Sequence, residues 1–361
     1  MTNQFCHFLS NGYTLNVINN QLTKRPCCIY TKHIPLKDTI LIKQELDYTA
    51  TVTDWISECS ECKRVEKIGG GSMRELSIQR VVGEFSPGEC VSLEVNFDKK
   101  CNAACLSCSP WFSSTWERYN RKHGLADSIS KSSPANMFKQ FIKTVPLDKL
   151  QFLYMQGGEP FYGSTNLTFL KHILKVHPNP SSIMLHYQTN GSILPSDDVL
   201  DCWRQFKTVV LNYSIDDVED RFHYLRWPLY WDNVNANIKT MIEHTDVDFQ
   251  VNSTVNPLNI LNYNNLEAWI IDTIPGGRLL KYRAGACLGN LDLRHCPISL
   301  RQAVVAKYGA EHKVSILMNT LEVFNRRSMM SYVTQHDQLR HLDWRNTFPE
   351  SVPFLGSKSD T

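Results

Sequence analysis

From about residue 91 to 284, short β-rich runs alternate with amphipathic helical stretches, the pattern of repeated βα units around a parallel sheet. Six strands are predicted: Leu93 to Phe97, Leu150 to Met155, Ile183 to Gln188, Val209 to Ile215, Phe249 to Val255 and Leu279 to Arg283. Between them, Leu167, Leu170, Ile173 and Leu174 share one helical face. So do Val199, Leu200, Trp203 and Phe206, and then Val234, Ile238, Met241 and Ile242. Each such face can cover a sheet. Six units fall short of eight, so the pattern predicts an α/β fold built as a partial (β/α)6 TIM barrel, with chemistry at the C-terminal ends of its strands.

The flanks read differently. Residues 1–85 hold five cysteines, few long helical periods and the run Gly69-Gly70-Gly71, which suggests a small module not built on a large apolar core. After the barrel segment at 86–290, Val314, Leu317, Met318, Leu321 and Phe324 fit an amphipathic helix, making 291–361 a helical C-terminal extension.

The 361-residue length allows about two domains, or one barrel with an appendage. With 38 Lys and Arg against 36 Asp and Glu and no dense basic run, the charge argues against a nucleic-acid partner. No apolar run is long enough to span a bilayer, and the start MTNQFCHFLSNGY lacks the plan of a signal peptide. A cytoplasmic protein with no membrane partner is expected. The 12 cysteines then favour metal ligation over disulfides.

The strongest chemical signal is CNAACLSC, where Cys101, Cys105 and Cys108 follow the first barrel strand. A cubane iron–sulfur cluster usually takes four thiolates, so three close thiolates leave one iron open to a small molecule. A zinc site with a distant fourth ligand, or chance in a cysteine-rich chain, is the blander reading. The second strand ends in Gln156-Gly157-Gly158-Glu159-Pro160, where paired glycines admit a ligand close to the backbone and Glu159 can receive an ammonium group.

Together, this cysteine loop and the GGEP turn resemble the radical S-adenosylmethionine (SAM) superfamily. The resemblance continues through Thr189-Asn190-Gly191, similar to the family's turn near the SAM ribose, and Ser214-Ile215-Asp216-Asp217, similar to its S-I-D-G segment with Asp217 in place of glycine. Ser107 stands where the family usually has an aromatic or Met residue near adenine. The resemblance implies a 4Fe–4S cluster that chelates the amino and carboxylate groups of SAM, and reductive cleavage to a hydrogen-abstracting 5′-deoxyadenosyl radical. It also implies an electron donor such as flavodoxin or ferredoxin.

In the N-terminal segment, Cys6, Cys27-Cys28 and Cys59-x-x-Cys62 precede Glu66, Ser72 and Arg74. This arrangement resembles phage-type radical SAM proteins of the SPASM/twitch group, as do YLRWPLYW at 224–231 and LDWRNTFPE at 342–350. The resemblance implies a second, auxiliary 4Fe–4S cluster on Cys6, Cys27, Cys59 and Cys62. Structural zinc or unligated thiols are the alternatives. Cys28 competes with Cys27, because adjacent residues of an extended segment point in opposite directions.

Of the other thiols, Cys90 and Cys202 read as small buried hydrophobes, whereas Cys287 and Cys296 flank the mouth after the sixth strand. Asn252, Ser253, Thr254, Tyr282 and Arg283 end the later strands as candidates for SAM or substrate contacts, with satisfied core polar groups as the blander role. Arg226 is a candidate partner for a SAM or substrate carboxylate. The aromatic groups at Trp111, Phe112, Trp116 and Tyr119 and at Phe222 through Trp231 read first as helix packing. The expected function is a radical SAM enzyme that modifies a peptide, by epimerisation or a C–C or C–S crosslink, with Cys287, Cys296 and Tyr282 as candidate catalytic groups. A nucleotide or small metabolite is the rival substrate, and a non-catalytic metal-binding scaffold the rival class.

Overall fold

The structure is a computed structural model that describes residues 6–18, 21–28, 30, 32, 34–35, 55–67, 72–86, 88–97, 99–125, 141–143, 145–287, 289–319 and 327–356. Gly69 to Gly71, and Leu321 and Phe324 of the expected C-terminal helix, lie outside these residues. Nine strands run in chain order: β1 Gly12–Ile18, β2 Gln21–Arg25, β3 Ile34–Pro35, β4 Ser92–Asn96, β5 Phe152–Gln156, β6 Met184–Thr189, β7 Thr208–Ser214, β8 Asp248–Val255 and β9 Leu279–Ala286. The helices that matter here are α1 His7–Asn11, α2 Ser60–Lys67, α3 Met73–Arg80, α4 Ser114–His123, α5 Thr165–Val176 and α6 Asp197–Trp203. They continue with α7 Glu219–Leu225, α8 Trp231–His244, α9 Tyr263–Thr273, α10 Ile298–Tyr308, α11 Lys313–Asn319 and α12 Arg327–Arg340.

The strand order is β3-β2-β1-β4-β5-β6-β7-β8-β9. From β4 onward it follows the chain, with helices between successive strands, the singly wound plan of a partial (β/α)6 barrel. All six expected barrel strands are present, with ends shifted by at most three residues. Contacts divide the chain into two compact units: Met1–Lys99, Ile129–Gln188 and Pro195–Val210, and Lys100–Ser128, Thr189–Leu194 and Leu211–Thr361. These do not coincide with the segments 1–85, 86–290 and 291–361 read from the sequence.

In the first unit the N-terminal segment joins the sheet. β1 pairs antiparallel with β2 and parallel with β4, setting Gly12 opposite Ser92 and Leu15 opposite Val95. A Cβ on Gly12 would collide with the carbonyl oxygens of Pro26 and Phe8, so only glycine lets the hairpin close there. β4, β5 and β6 are parallel in register. Their alternation puts Leu93, Val95, Leu153, Met155 and Leu185 on one fully buried face. On the other face Glu94 accepts hydrogen bonds from Thr14 and Gln156, while Tyr154 donates to Gln188 at 2.6 Å.

The expected inner faces of α5 and α6 shift slightly. Phe169, Leu170 and Ile173 are buried on α5, and Leu167 and Leu174 only partly. On α6, Val199, Cys202 and Trp203 are buried, with Leu200 at the margin. On α8, Val234, Ile238 and Met241 of the expected face are buried and Ile242 only partly. In the second unit β8 and β9 are parallel.

A cysteine loop backed by two buried arginines

The loop from Cys101 to Cys108 is pinned at nearly every step. The backbone nitrogens of Ala104 and Leu106 donate to the carbonyls of Trp227 and Leu225, both at 2.7 Å. Ser114 and Thr115, at the start of α4, donate to the Cys101 carbonyl, and the indole of Trp116 donates to that of Cys105 at 2.8 Å. From α12, Tyr332 donates to the Leu106 carbonyl at 2.9 Å and Arg340 to that of Ala104 at 3.0 Å. A loop so restrained presents its thiols in a fixed geometry.

Cys101 is buried, and Cys105 and Cys108 are half-buried. Burial raises the Cys105 thiol, opposed by the guanidiniums of Arg226 and Arg340 and reinforced by the Asp216 carboxylate. Burial and then neighbouring Cys105 push Cys108 up to about 12. Arg226 Nη1 lies 3.9 Å from Cys105 Sγ, and its Nη2 donates to Asp216 Oδ1 at 2.9 Å. Asp216 Oδ1 also accepts from the Thr254 amide at 2.7 Å. Asp216 and Arg226, expected as SAM contacts, therefore satisfy one another beside the loop. The Nε atoms of Arg226 and of Arg340 are buried without a hydrogen-bond partner.

The turn at Thr189 to Ser192 adjoins this loop. Asn190 donates to Asn102 at 3.1 Å, and Asn102 to Ser192 Oγ at 2.8 Å, which ties the turn to the cysteine segment. Gly191 has φ +75, and a Cβ there would press on Tyr213 and Val234 at 3.1 Å. Burial raises the Tyr332 phenol, opposed by the Arg340 guanidinium and reinforced by Cys108 and Cys287. Ser214 and Asn252 are half-buried on β7 and β8.

The structure disperses other candidates. Tyr282 turns from the expected mouth: its hydroxyl donates to Glu267 of α9 at 3.3 Å, and Lys313 Nζ sits 3.3 Å from its ring centroid. Neighbouring strand residues face opposite sides, so Tyr282 and Arg283 cannot both line one surface. Cys296 is fully buried beside Arg301 and Asp292, and burial pushes its thiol up to about 12. Sequence reasoning missed Arg340 and Tyr332, which lie over two hundred residues from the loop they hold. Polar residues one side of a C-terminal helix gave no local sign of that role.

In the first unit Gly157 takes φ +143, and the buried Glu159 accepts from the Phe161 amide at 3.4 Å. The N-terminal thiols belong to this unit as well. Cys6 and Cys62 are buried, with Cys27 and Cys59 packed at the edge of the same cluster as Cys6. Burial pushes Cys59 up to about 12, with Cys6, Cys27 and Cys62 each adding to the rise. Ser77, fully buried, donates to Cys6 Sγ at 3.7 Å. Cys28 is exposed; beside the adjacent Cys27, its strongest charged neighbours are Glu94 and Arg25. The structure thus separates the two adjacent thiols. Glu66 binds Arg74 through both carboxylate oxygens, at 2.9 and 2.6 Å, and accepts from Ser72, joining α2 to the capped start of α3.

Among the described residues, no three His, Cys, Asp or Glu side chains gather as donors to a single metal ion. A cubane gives each thiolate its own iron, so its donors stand farther apart than those around one tetrahedral ion. No disulfide joins the described cysteines, and no described helix is long and apolar enough to cross a membrane. Two soft donor sets, one flanked by buried guanidiniums with spare N–H groups, suit anionic iron–sulfur clusters in chemistry and charge.

No family model matches this chain, and no curated protein matches it. Among solved structures it is similar to anSMEcpe with bound AdoMet, at 16% identity over 55% of this chain and 50% of that one, with a TM-score of 0.42. It is similar to Streptococcus suis SuiB bound to precursor peptide SuiA, at 11% identity over 87% and 63%, TM-score 0.41. TYW1 with a lysine-pyruvate adduct is similar at 12% identity over 85% and 86%, TM-score 0.32. The chain spans about half the length of the anSMEcpe chain it matches.

Proposed function

We propose that this chain is a radical SAM enzyme, with a 4Fe–4S cluster on Cys101, Cys105 and Cys108 and an auxiliary 4Fe–4S cluster on Cys6, Cys27, Cys59 and Cys62. The observation that carries the reading is the pinned three-cysteine loop beside two buried guanidiniums whose Nε atoms have no protein partner. When bound, the cluster and SAM supply an electron and a 5′-deoxyadenosyl radical. The chain's own residues hold the loop rigid through Trp116, Tyr332 and Arg340, and Asn190 fixes the neighbouring turn. By resemblance, Thr189, Asn190, Ser214 and Asn252 contact the SAM ribose and nearby polar groups.

The substrate is a peptide, altered by epimerisation or by a C–C or C–S crosslink, and a flavodoxin or ferredoxin supplies the electron in a cytoplasmic, reducing setting. Family resemblance supports this choice, together with two separate thiol sets in one chain. Anaerobic reconstitution with iron and sulfide, followed by SAM and dithionite, tests the reading through release of 5′-deoxyadenosine. Wild-type protein releases it and the Cys105→Ala variant does not. Release at equal rates from both removes the cluster assignment.

A further inference from the structure

Arg226 and Arg340 both stand beside the cysteine loop, yet their charges are balanced differently. Arg226 is neutralised by Asp216 at 2.9 Å. Arg340 is 7% exposed, donates to a carbonyl rather than a carboxylate, and makes no ion pair among the described residues. Its guanidinium carbon lies 5.2 Å from the ring centroids of Trp116, Tyr119 and Trp227, a cage of aromatic faces that shields the charge from water. A buried charge without a counter-ion is costly, so its persistence implies an anion nearby. The loop supplies one: three thiolates on a cubane core leave net negative charge, which grows by one on reduction.

We infer that Arg340 is the counter-charge of the cluster on Cys101, Cys105 and Cys108, and that it raises the cluster's reduction potential. This rests on the cluster reading above. A fixed cation stabilises the state with more negative charge, and the aromatic cage keeps the local dielectric low enough for the interaction to persist. Arg340 acts through the cluster and touches no reacting atom.

The test is a redox titration of the reconstituted full chain followed by electron paramagnetic resonance, in which the signal that changes on adding SAM marks the site cluster. Arg340→Gln is expected to lower its reduced-to-oxidised ratio about tenfold at a fixed potential, or 59 mV for a one-electron couple. Arg340→Lys restores most of the ratio, and Tyr119→Leu, which removes one ring face but keeps the charge behind an apolar wall, changes it far less. An unchanged ratio in Arg340→Gln overturns the inference. So does an equal fall in Tyr119→Leu, which would make packing the cause. If Arg340→Gln fails to load iron, Arg340→Lys against Tyr119→Leu decides the matter: the inference requires the lysine variant to stay nearer wild type. Absence of any SAM-responsive signal in wild-type protein would instead remove the cluster reading itself.

Discussion

The hydroxyl of Tyr332 donates to the backbone carbonyl of Leu106 at 2.9 Å, across 226 positions of sequence. This bond makes helix α12 part of the cysteine loop's support. Its loss in Tyr332→Phe should cost about 1 kcal/mol. Amide exchange at Leu106, which donates to Leu225, should then quicken about fivefold, measured by hydrogen–deuterium exchange. Unchanged exchange would show that α12 does not restrain the loop.

The separation of Cys27 from Cys28 gives a direct prediction. Replacing Cys59 and Cys62 together should remove about four irons per chain, the content of one cubane. Cys27→Ser should show the same loss, while Cys28→Ser keeps full iron, because Cys28 is exposed whereas Cys27 packs against the apolar cluster that holds Cys6. Iron assay and Mössbauer spectra of the reconstituted variants read the outcome. Retained iron with loss of zinc would establish a structural zinc site instead.

Asp217 predicts a pH dependence of stability. Its carboxyl is lifted to about 7 by burial, against the Val218 amide, Arg221 and Asn262, with Glu350 adding to the rise. Oδ2 has no hydrogen-bond partner. An unfolded Asp releases its proton near pH 4, so between about 4 and about 7 the folded chain holds a proton that the unfolded chain has lost. This group's contribution to stability is therefore greatest below the unfolded value, falls as pH rises on the order of 1.4 kcal/mol per unit, and is flat above about 7. Asp217→Asn should flatten that slope. Urea midpoints of both proteins at pH 5, 6 and 8 check it.

Cys287 follows directly on β9, and its amide donates to the Val255 carbonyl at the end of β8 at 2.8 Å, so it is taken ahead of Cys296 as the candidate hydrogen donor. In an epimerisation, Cys287→Ser should still release 5′-deoxyadenosine but lose the deuteron that wild-type enzyme adds to the peptide α-carbon in D2O. A crosslink would remove two hydrogens from product mass and leave the serine variant active. Neither mass change on any peptide, with turnover of a nucleoside or metabolite, would reject the peptide substrate.

The Glu66–Arg74 pair is bidentate and largely buried, with side-chain exposures of 18% and 9%. Glu66→Gln should destabilise the chain by about 1.5–3 kcal/mol, the range for a hydrogen bond to a charged group. Loss of auxiliary iron at lower temperature than in wild type, followed by absorbance, would accompany it, because the pair joins α2, which carries Cys62, to α3.

Local periodicity carries much of this fold. Alternation in LEV at 93–95 and FLYMQ at 152–156 gives buried and half-buried strand faces in the structure, because backbone pleating sets a two-residue repeat wherever the strand lies. The CNAACLSC spacing likewise keeps its thiols on one loop whatever surrounds it. What periodicity leaves open is which partner a face meets. Phe169 displaces Leu167 and Leu174 from the core of α5 because a helical face is wider than the strip its sheet covers. Tyr282 donates to Glu267 of α9, and Cys27 packs against the same apolar cluster as Cys59, since each choice depends on which side of a strand or hairpin packs inward. Arg340 is the extreme case: its chemistry comes from an aromatic cage and a cysteine loop brought together by burial, a free energy summed over contacts that no short window of sequence contains.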